Sequence, residues 1–420
     1  MKRYDEYKDT GIDWLPKLPV NWDVKKISSL FDERRQKVSD KVYQPLSVSK
    51  NGVTLQLETA VKTDNGDNRK LVKIGDFVVN SRSDRKGACG ISPLNGSVSL
   101  INIVLKPRGE INAKFFHFLS RSNNYIEEFY RLGRGIVADL WTTRYSELKN
   151  LFIPFPPLAE QEKIVSYLED KTAKIDALIE ESSKQIKLLN ELKESEIANV
   201  ITRGLNPDVK MKDSGIPWIG MIPEHWDIKR IASLFTGKVE LNSDFAYKHA
   251  FKFNYGALVP KEEVGDIEEY RSTYIKYSVL KKNDILINGL NLNYDFVTQR
   301  VAIAPSDGII TSAYIVARPR KGTNASYYTY LFKTMDNMKL FHGMGTGIRL
   351  TLSFDELKKQ LIPVPSHEEQ RAIVAYIEDK CNKVNSLIGE LEAEIEYLKE
   401  YKQKLIADCV TGQINVQSEI

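Results

Sequence analysis

Residues 8–31 read KDTGIDWLPKLPVNWDVKKISSLF, and residues 212–235 read KDSGIPWIGMIPEHWDIKRIASLF, the same phrase displaced by 204 positions. A second phrase, IPFPPLAEQEKIVSYLEDKTAKIDALI at 153–179, returns as IPVPSHEEQRAIVAYIEDKCNKVNSLI at 362–388, displaced by 209. The stretches between them, roughly 35–150 and 240–360, share little. Self-similarity on this scale decides the architecture before local propensity does. The chain reads as one frame made twice around two different inserts, which suits one tool fitted with two reading heads.

The second phrase opens into a long helix in both copies. From Val374 the apolar positions run Val374, Ile377, Cys381, Val384, Ile388, Leu391, Ile395 and Leu398, continuing to Lys402 and Leu405. Their 3,4 alternation puts them on one helical seam, as in a coiled coil. The first copy keeps the register with Val165, Leu168, Thr172, Ile175, Ile179, Ser182, Ile186 and Leu189. Prolines precede each helix, Glu160 and Glu369 lie in the first turns, and Gly204 and Gly412 stand where each should stop. Two matching seams in one chain predict that the helices pack on each other, antiparallel if the copies are related by a two-fold axis. That frame also predicts residues 1–12 beside residues 410–420. Trp14, Trp22, Trp218 and Trp226 are expected to anchor the frame.

The inserts look mixed α/β. Short β-branched runs at Phe77–Val79, Asn102–Leu105, Ile285–Ile287 and Tyr314–Val316 predict strands, and the spacing over Lys114–Tyr130 and Ala325–Leu340 predicts helices. Matched strand-to-loop transitions follow Gly75-Asp76 and Asn283-Asp284. The first leads into NSRSDRKGACG (80–90) and the second into NGLNLNYDFVTQR (288–300). Such polar loops suit DNA, because Arg reads guanine bidentately and Asn reads adenine. The candidate contacts are Arg82, Ser83, Arg85 and Lys86 in the first insert, and Asn288, Asn291, Asn293 and Arg300 in the second. A further matched pair, 132–149 and 343–358, carries a Gly-x-Gly turn and adds Arg134, Thr143, Arg144, Arg349 and Thr351 as candidate phosphate contacts.

Composition agrees with a globular protein: 420 residues, 42% apolar, 28% charged, net charge +4. The charge is unevenly spread, at +8 over residues 1–155, −3 over 156–206, +4 over 207–364 and −5 over 365–420. Basic globular parts and acidic helices fit inserts that meet nucleic acid and helices that do not. No signal-like or membrane-spanning run is evident, and three isolated cysteines fit a reducing cytoplasm. The five histidines form no zinc spacing, so no metal site is expected. Neither a P-loop nor an Asn-Pro-Pro-Phe/Tyr motif occurs.

The ordered pair of phrases resembles the specificity subunit of type I restriction–modification systems. The residues carrying the likeness are Gly11, Ile12, Trp14, Pro19 and Trp22, then Ile153, Pro154, Pro156, Glu160, Gln161, Ile164 and Val165. The second set is Gly215, Ile216, Trp218, Pro223 and Trp226, then Ile362, Pro363, Pro365, Glu369, Gln370, Ile373 and Val374. Gly220 and Ser366 depart from the pattern where the first copy has Pro16 and Pro157. The resemblance implies an α+β chain with two tandem target recognition domains, separated and joined by two long antiparallel coiled-coil helices with pseudo-two-fold symmetry. The expected divisions are 1–155 and 207–364 for the recognition domains, 156–206 and 365–412 for the spacer helices, and 413–420 for a tail. It also implies a non-catalytic subunit that binds a bipartite asymmetric site on double-stranded DNA. Two modification subunits that methylate adenine, and restriction subunits, are the implied partners. They would hold S-adenosylmethionine, ATP and Mg²⁺, and this chain would bind no cofactor.

Two other readings stand beside this one. A coiled-coil scaffold with two protein-binding heads would show no salt-dependent DNA binding. An autonomous nuclease would use Asp139, Glu147 and Lys149, which imitate a metal-dependent Asp…Glu-x-Lys layout. The second copy has Glu356 and Lys358 but no acid to match Asp139.

Overall fold

The computed structural model describes residues 2–50, 52–57, 66–82, 86–109, 111–135, 141–237, 239–262, 265–294 (Tyr294 by its backbone alone), 299–348 and 350–417. None of the helices described is long and apolar enough to cross a membrane. The chain separates into two compact units, residues 1–183 with 391–420, and residues 184–390.

In the first unit the repeated phrase folds as a hairpin, Tyr7–Asp9 against Lys17–Pro19. The strand Asp23–Lys26 then pairs antiparallel with Phe152–Phe155, so the insert leaves and returns at one place. Trp22 is fully buried here, with edge-on contacts to Tyr4 and Phe115. The insert builds a four-stranded antiparallel sheet in the order Cys89–Ile91, Phe77–Asn80, Asn102–Pro107, Phe31–Glu33. Beside it lie a three-stranded sheet and the hairpin Leu46–Ser49 with Gly52–Leu55. The predicted helix over Lys114–Tyr130 is two helices, Ala113–Arg121 and Asn123–Arg131. Extended Ser122 separates them, and its side chain caps the second helix through the Tyr125 N–H. A serine acceptor at an N-cap competes with helix continuation.

The second unit repeats the plan with other residues. Its frame hairpin is Met211–Asp213 with Met221–Pro223, and Asp227–Arg230 pairs with Leu361–Val364. Trp226 is fully buried. The insert sheet runs Val301–Ile303, Ile285–Ile287, Ile315–Pro319, Phe235–Thr236, the same chain-order permutation as in the first unit. A hairpin, Phe251–Asn254 with Ala257–Pro260, again accompanies it. The helix Ala325–Asn337 buries Tyr327, Tyr328, Leu331 and Phe332.

The strand-to-loop transitions share a physical cause. Asp76 and Asp284 are buried, and each carboxylate accepts the backbone N–H three residues earlier, from Lys73 and Lys281, at 2.8 Å. Each is also gripped by a guanidinium, Arg34 at 2.7 Å and Arg318 at 2.8 Å. Hydrogen bonds to the ionised form, together with the guanidinium, stabilise a carboxylate that burial alone would not tolerate. The residues just before them, Gly75 and Asn283, take positive φ, which Gly and Asn accept most readily.

The two long helices span Leu158–Arg203 and His367–Val410, and each runs through both units. In the second unit Lys193 donates to Asn385 at 3.0 Å, and Tyr376 donates to Glu196 at 2.6 Å. Numbers rise along one helix as they fall along the other, so the paired segments are antiparallel. In the first unit Lys402 reaches Asp176 at 2.6 Å. Along the seam Val165, Leu168, Ile175 and Ile377 are buried. Ile179, Ile186, Leu189, Val374, Val384, Ile388, Leu391, Ile395 and Leu398 are half-buried.

The Glu-Gln pair of the second phrase ties helix to frame. Gln161 and Gln370 donate to the carbonyls of Pro156 and Pro365 at 2.8 and 2.9 Å, closing the strand-to-helix corner. Glu160 accepts from Tyr4 and Asn21, and Glu369 from Trp226 and the Ser366 backbone. Burial works against the charge of Glu369, yet bonds from His225, Trp226 and Ser366 lower its pKa to about 2.

Candidate nucleic-acid interface

The same two segments meet in both units. In the first, Arg82, at the exit of Phe77–Asn80, forms a backbone bridge to Thr142, and Thr142 bridges onward to Arg134. The N–H of Thr143 donates to the Ser81 carbonyl at 3.0 Å. These bonds place the exposed side chains of Arg82, Arg134 and Arg144 on one small loop cluster. In the second unit, Leu352 N–H donates to Gly289 O at 2.9 Å, and Leu292 N–H to Leu350 O at 3.1 Å. The strand-exit loop carrying Asn288, Asn291 and Asn293 is thereby fixed against the turn closed by the Thr346–Thr351 bridge. Asn293 Nδ2 donates to the Ile348 carbonyl at 3.4 Å.

Not every candidate faces outward. Thr143 is 2% exposed, and its hydroxyl donates to the Phe129 carbonyl at 2.9 Å. Arg300 is 6% exposed, and its guanidinium donates to the carbonyls of Asn288 and Leu290 at 2.8 Å. Both hold their loops in shape. Arg300 thus does for the second loop what no neutral side chain can, since one planar fork satisfies several carbonyls of an irregular segment. Lys86 is turned onto the helix Asn123–Arg131, paired with Glu127 at 3.1 Å and 3.9 Å above the Tyr130 ring. Asn288 accepts from the Leu290 N–H, a local turn, and is half-buried. Asn291, at φ 51°, and Asn293 are exposed, and Thr351 is half-buried. Ser83, Arg85 and Arg349 lie outside the described residues, as does Asp139. Among the described residues no group of three His, Cys, Asp or Glu side chains is arranged to hold a metal ion.

The Gly-x-Gly turns have a packing cause. A Cβ on Gly133 would fall 2.2 Å from the Trp141 indole nitrogen, and one on Gly345 would fall 2.9 Å from Leu292. Their small size makes room inside the protein. Between Gly347 and Leu350, both at positive φ, Ile348 stands 98% exposed at the turn tip.

A comparison with known families matches residues 19–188 and 223–397 to the type I restriction modification DNA specificity domain, so the chain belongs to that family. It is a type I restriction–modification DNA specificity subunit, a component generally without catalysis of its own. It is similar to the putative type I restriction enzyme MjaX specificity subunit of Methanocaldococcus jannaschii, 23% identical over 436 residues, covering 99% of this chain and 98% of that one. Its fold resembles the HsdS subunit from Thermoanaerobacter tengcongensis, with TM-score 0.53 and 18% identity, covering 94% and 98% of the two chains. It also resembles a chain in a structure described as underlying complex assembly and conformational transition of the type I R-M system. There the TM-score is 0.68 at 16% identity, covering 94% and 99%.

Proposed function

We propose that the chain reads a bipartite, asymmetric target on double-stranded DNA, each compact unit taking one half-site through its loop cluster. The observation that carries this is chemical. The two units bring the same pair of segments together, yet the first presents Arg82, Arg134 and Arg144, and the second presents Asn291 and Asn293, with Asn288 and Thr351 behind them. Guanidinium groups pair with guanine edges or phosphates, and amides with adenine edges. One scaffold with two chemistries recognises two different half-sites, about one helical turn or roughly 34 Å apart. Each wrong base pair costs about 1–3 kcal/mol.

The long helices act as the spacer and as the dock for two modification subunits, with restriction subunits joining the same complex. Adenine methylation and DNA cleavage, with S-adenosylmethionine, ATP and Mg²⁺, belong to those partners, and the complex works in the cytoplasm. Methylome sequencing of a host expressing the chain with its neighbouring modification gene tests the proposal. The expected result is a two-part adenine-methylated motif, one half of which is lost when residues 240–360 are replaced. A soluble, assembled complex that adds no methylation overturns it.

A further inference from the structure

The hairpin of the second unit closes at Asn254 opposite Ala257, leaving Tyr255-Gly256 as a two-residue turn. Both residues have positive φ, 41° for Tyr255 and 74° for Gly256. Turns of this hand favour Asn, Asp or Gly at the first position, because a bulky side chain crowds its own carbonyl there. The first unit's hairpin, closed at Ser49 opposite Gly52, carries Lys50 at the matching position. The second unit therefore keeps an aromatic residue where its backbone is strained. It gains no core packing in return, since Tyr255 is 78% exposed. Strain that packing does not reward points to a role outside the fold.

The location of the turn suggests that role. A Cβ on Gly256 would lie 3.5 Å from Gln299 Cβ and 3.5 Å from the Val301 carbonyl. The hairpin tip thus rests beside Gln299 and Val301, where the Asn288–Arg300 loop re-enters the sheet, and Tyr255 is the exposed residue next to that contact. Asn254 and Lys252 beside it are exposed. In the major groove the apolar group available to a ring is the thymine C5-methyl. The residue differs between the two inserts, as a reader of one particular half-site must.

We infer that Tyr255 is a specificity-determining residue of the second unit, its ring packing on a thymine methyl of that half-site. The inference rests on the DNA-reading proposal above. The test uses the complex assembled with the modification subunit and duplexes in which each thymine of the second half-site is replaced singly by deoxyuridine. In the wild type one replacement weakens binding about fourfold, the value of one buried methyl. Tyr255→Asn removes that sensitivity and lowers affinity about tenfold, while raising the chain's melting temperature because Asn-Gly suits the turn. Tyr255→Phe keeps the ring and keeps the sensitivity. A Tyr255→Asn complex with unchanged affinity and the same deoxyuridine response overturns the inference, as does loss of the response in Tyr255→Phe. A wild-type complex without sequence-specific binding marks failure of the broader reading and takes this inference with it.

Discussion

Tyr7 donates its phenolic hydrogen to the carbonyl oxygen of Gly412 at 2.9 Å, joining positions 405 apart in the chain. The Asn415 N–H donates to the Lys2 carbonyl at 2.9 Å in the same corner. The expectation that the first dozen residues lie beside residues 410–420 came from the repeat alone. It is met because each helix ends on a glycine that must seat against a frame proline and tryptophan. Gly412 does so at Pro19 and Trp22, and Gly204 does so at Pro223 and Trp226.

Substituting those glycines separates strain from crowding. Both have positive φ, 72° and 77°, so alanine carries a similar backbone penalty at each. The Cβ at 412 would fall 2.5 Å from Pro19 Cδ, whereas at 204 its nearest neighbour is Trp226 Cζ2 at 3.2 Å. Gly412→Ala is expected to destabilise by about 2–3 kcal/mol and Gly204→Ala by about 1–2 kcal/mol. Denaturant melts of the purified chain give the order, and a reversal would show that the frame around Gly412 yields more easily than its packing indicates.

Acid should loosen the second frame through Glu369. Its pKa in the folded chain is lowered to about 2 from an ordinary 4.5, burial opposing and bonds from His225, Trp226 and Ser366 prevailing. A depressed carboxylate contributes stability that is fully present above its unfolded pKa and lost as pH falls through the folded one. The window is therefore pH 4.5 down to about 2. Glu369→Gln keeps an acceptor but not the charge. The stability gap between wild type and variant should narrow across that window. A gap independent of pH would mean that the carboxylate's charge does not matter there.

Much of this fold was readable because its signals are periodic or repeated. A seam of 3,4 spacing survives Thr172 and Ser182 because the remaining apolar positions hold the register. The strand centres at Phe77–Val79 and Ile285–Ile287 were legible as buried β-branched runs. The break at Ser122 was missed because the aromatic spacing continues through it while the cap acts locally. The site was less legible. Whether an arginine in a loop faces solvent, like Arg82, or carbonyls, like Arg300, depends on how the loop curls, and composition does not encode that. Tyr255 escaped notice because its meaning lies in a dihedral angle and in the approach of the adjacent Gly256 to Gln299, 43 positions away.

The spacer role makes its own prediction. A heptad is seven residues, about 10.5 Å of helix, and its removal from one long helix preserves the seam while shortening that helix alone. The complex should then either methylate a motif with altered half-site spacing or fail to assemble. Methylome sequencing and size-exclusion chromatography read the two outcomes. An assembled complex with unaltered motif and spacing would remove the helices from the measurement of distance.

Within the second loop the structure separates the residue that shapes from those that face outward. Arg300→Ala strips the part-buried carbonyls of Asn288 and Leu290 of their donor, and losing partners of this kind costs about 2 kcal/mol together. Arg300→Lys should not rescue it, because an ammonium cannot span the same acceptors as a planar fork. Exposed Asn291 and Asn293 carry little of the fold, so Asn293→Ala is expected to stay within about 0.5 kcal/mol of wild type. On DNA the ranking changes in kind. Arg300→Ala should abolish reading of the whole second half-site, whereas Asn291→Ala or Asn293→Ala should relax it at a single base pair, costing about 1–3 kcal/mol against the cognate sequence. Paired melting curves and methylated-motif profiles decide the matter: if Asn293→Ala destabilises as much as Arg300→Ala, or if Arg300→Ala relaxes one position in a stable chain, then the assignment of shape to Arg300 and contact to the asparagines is reversed.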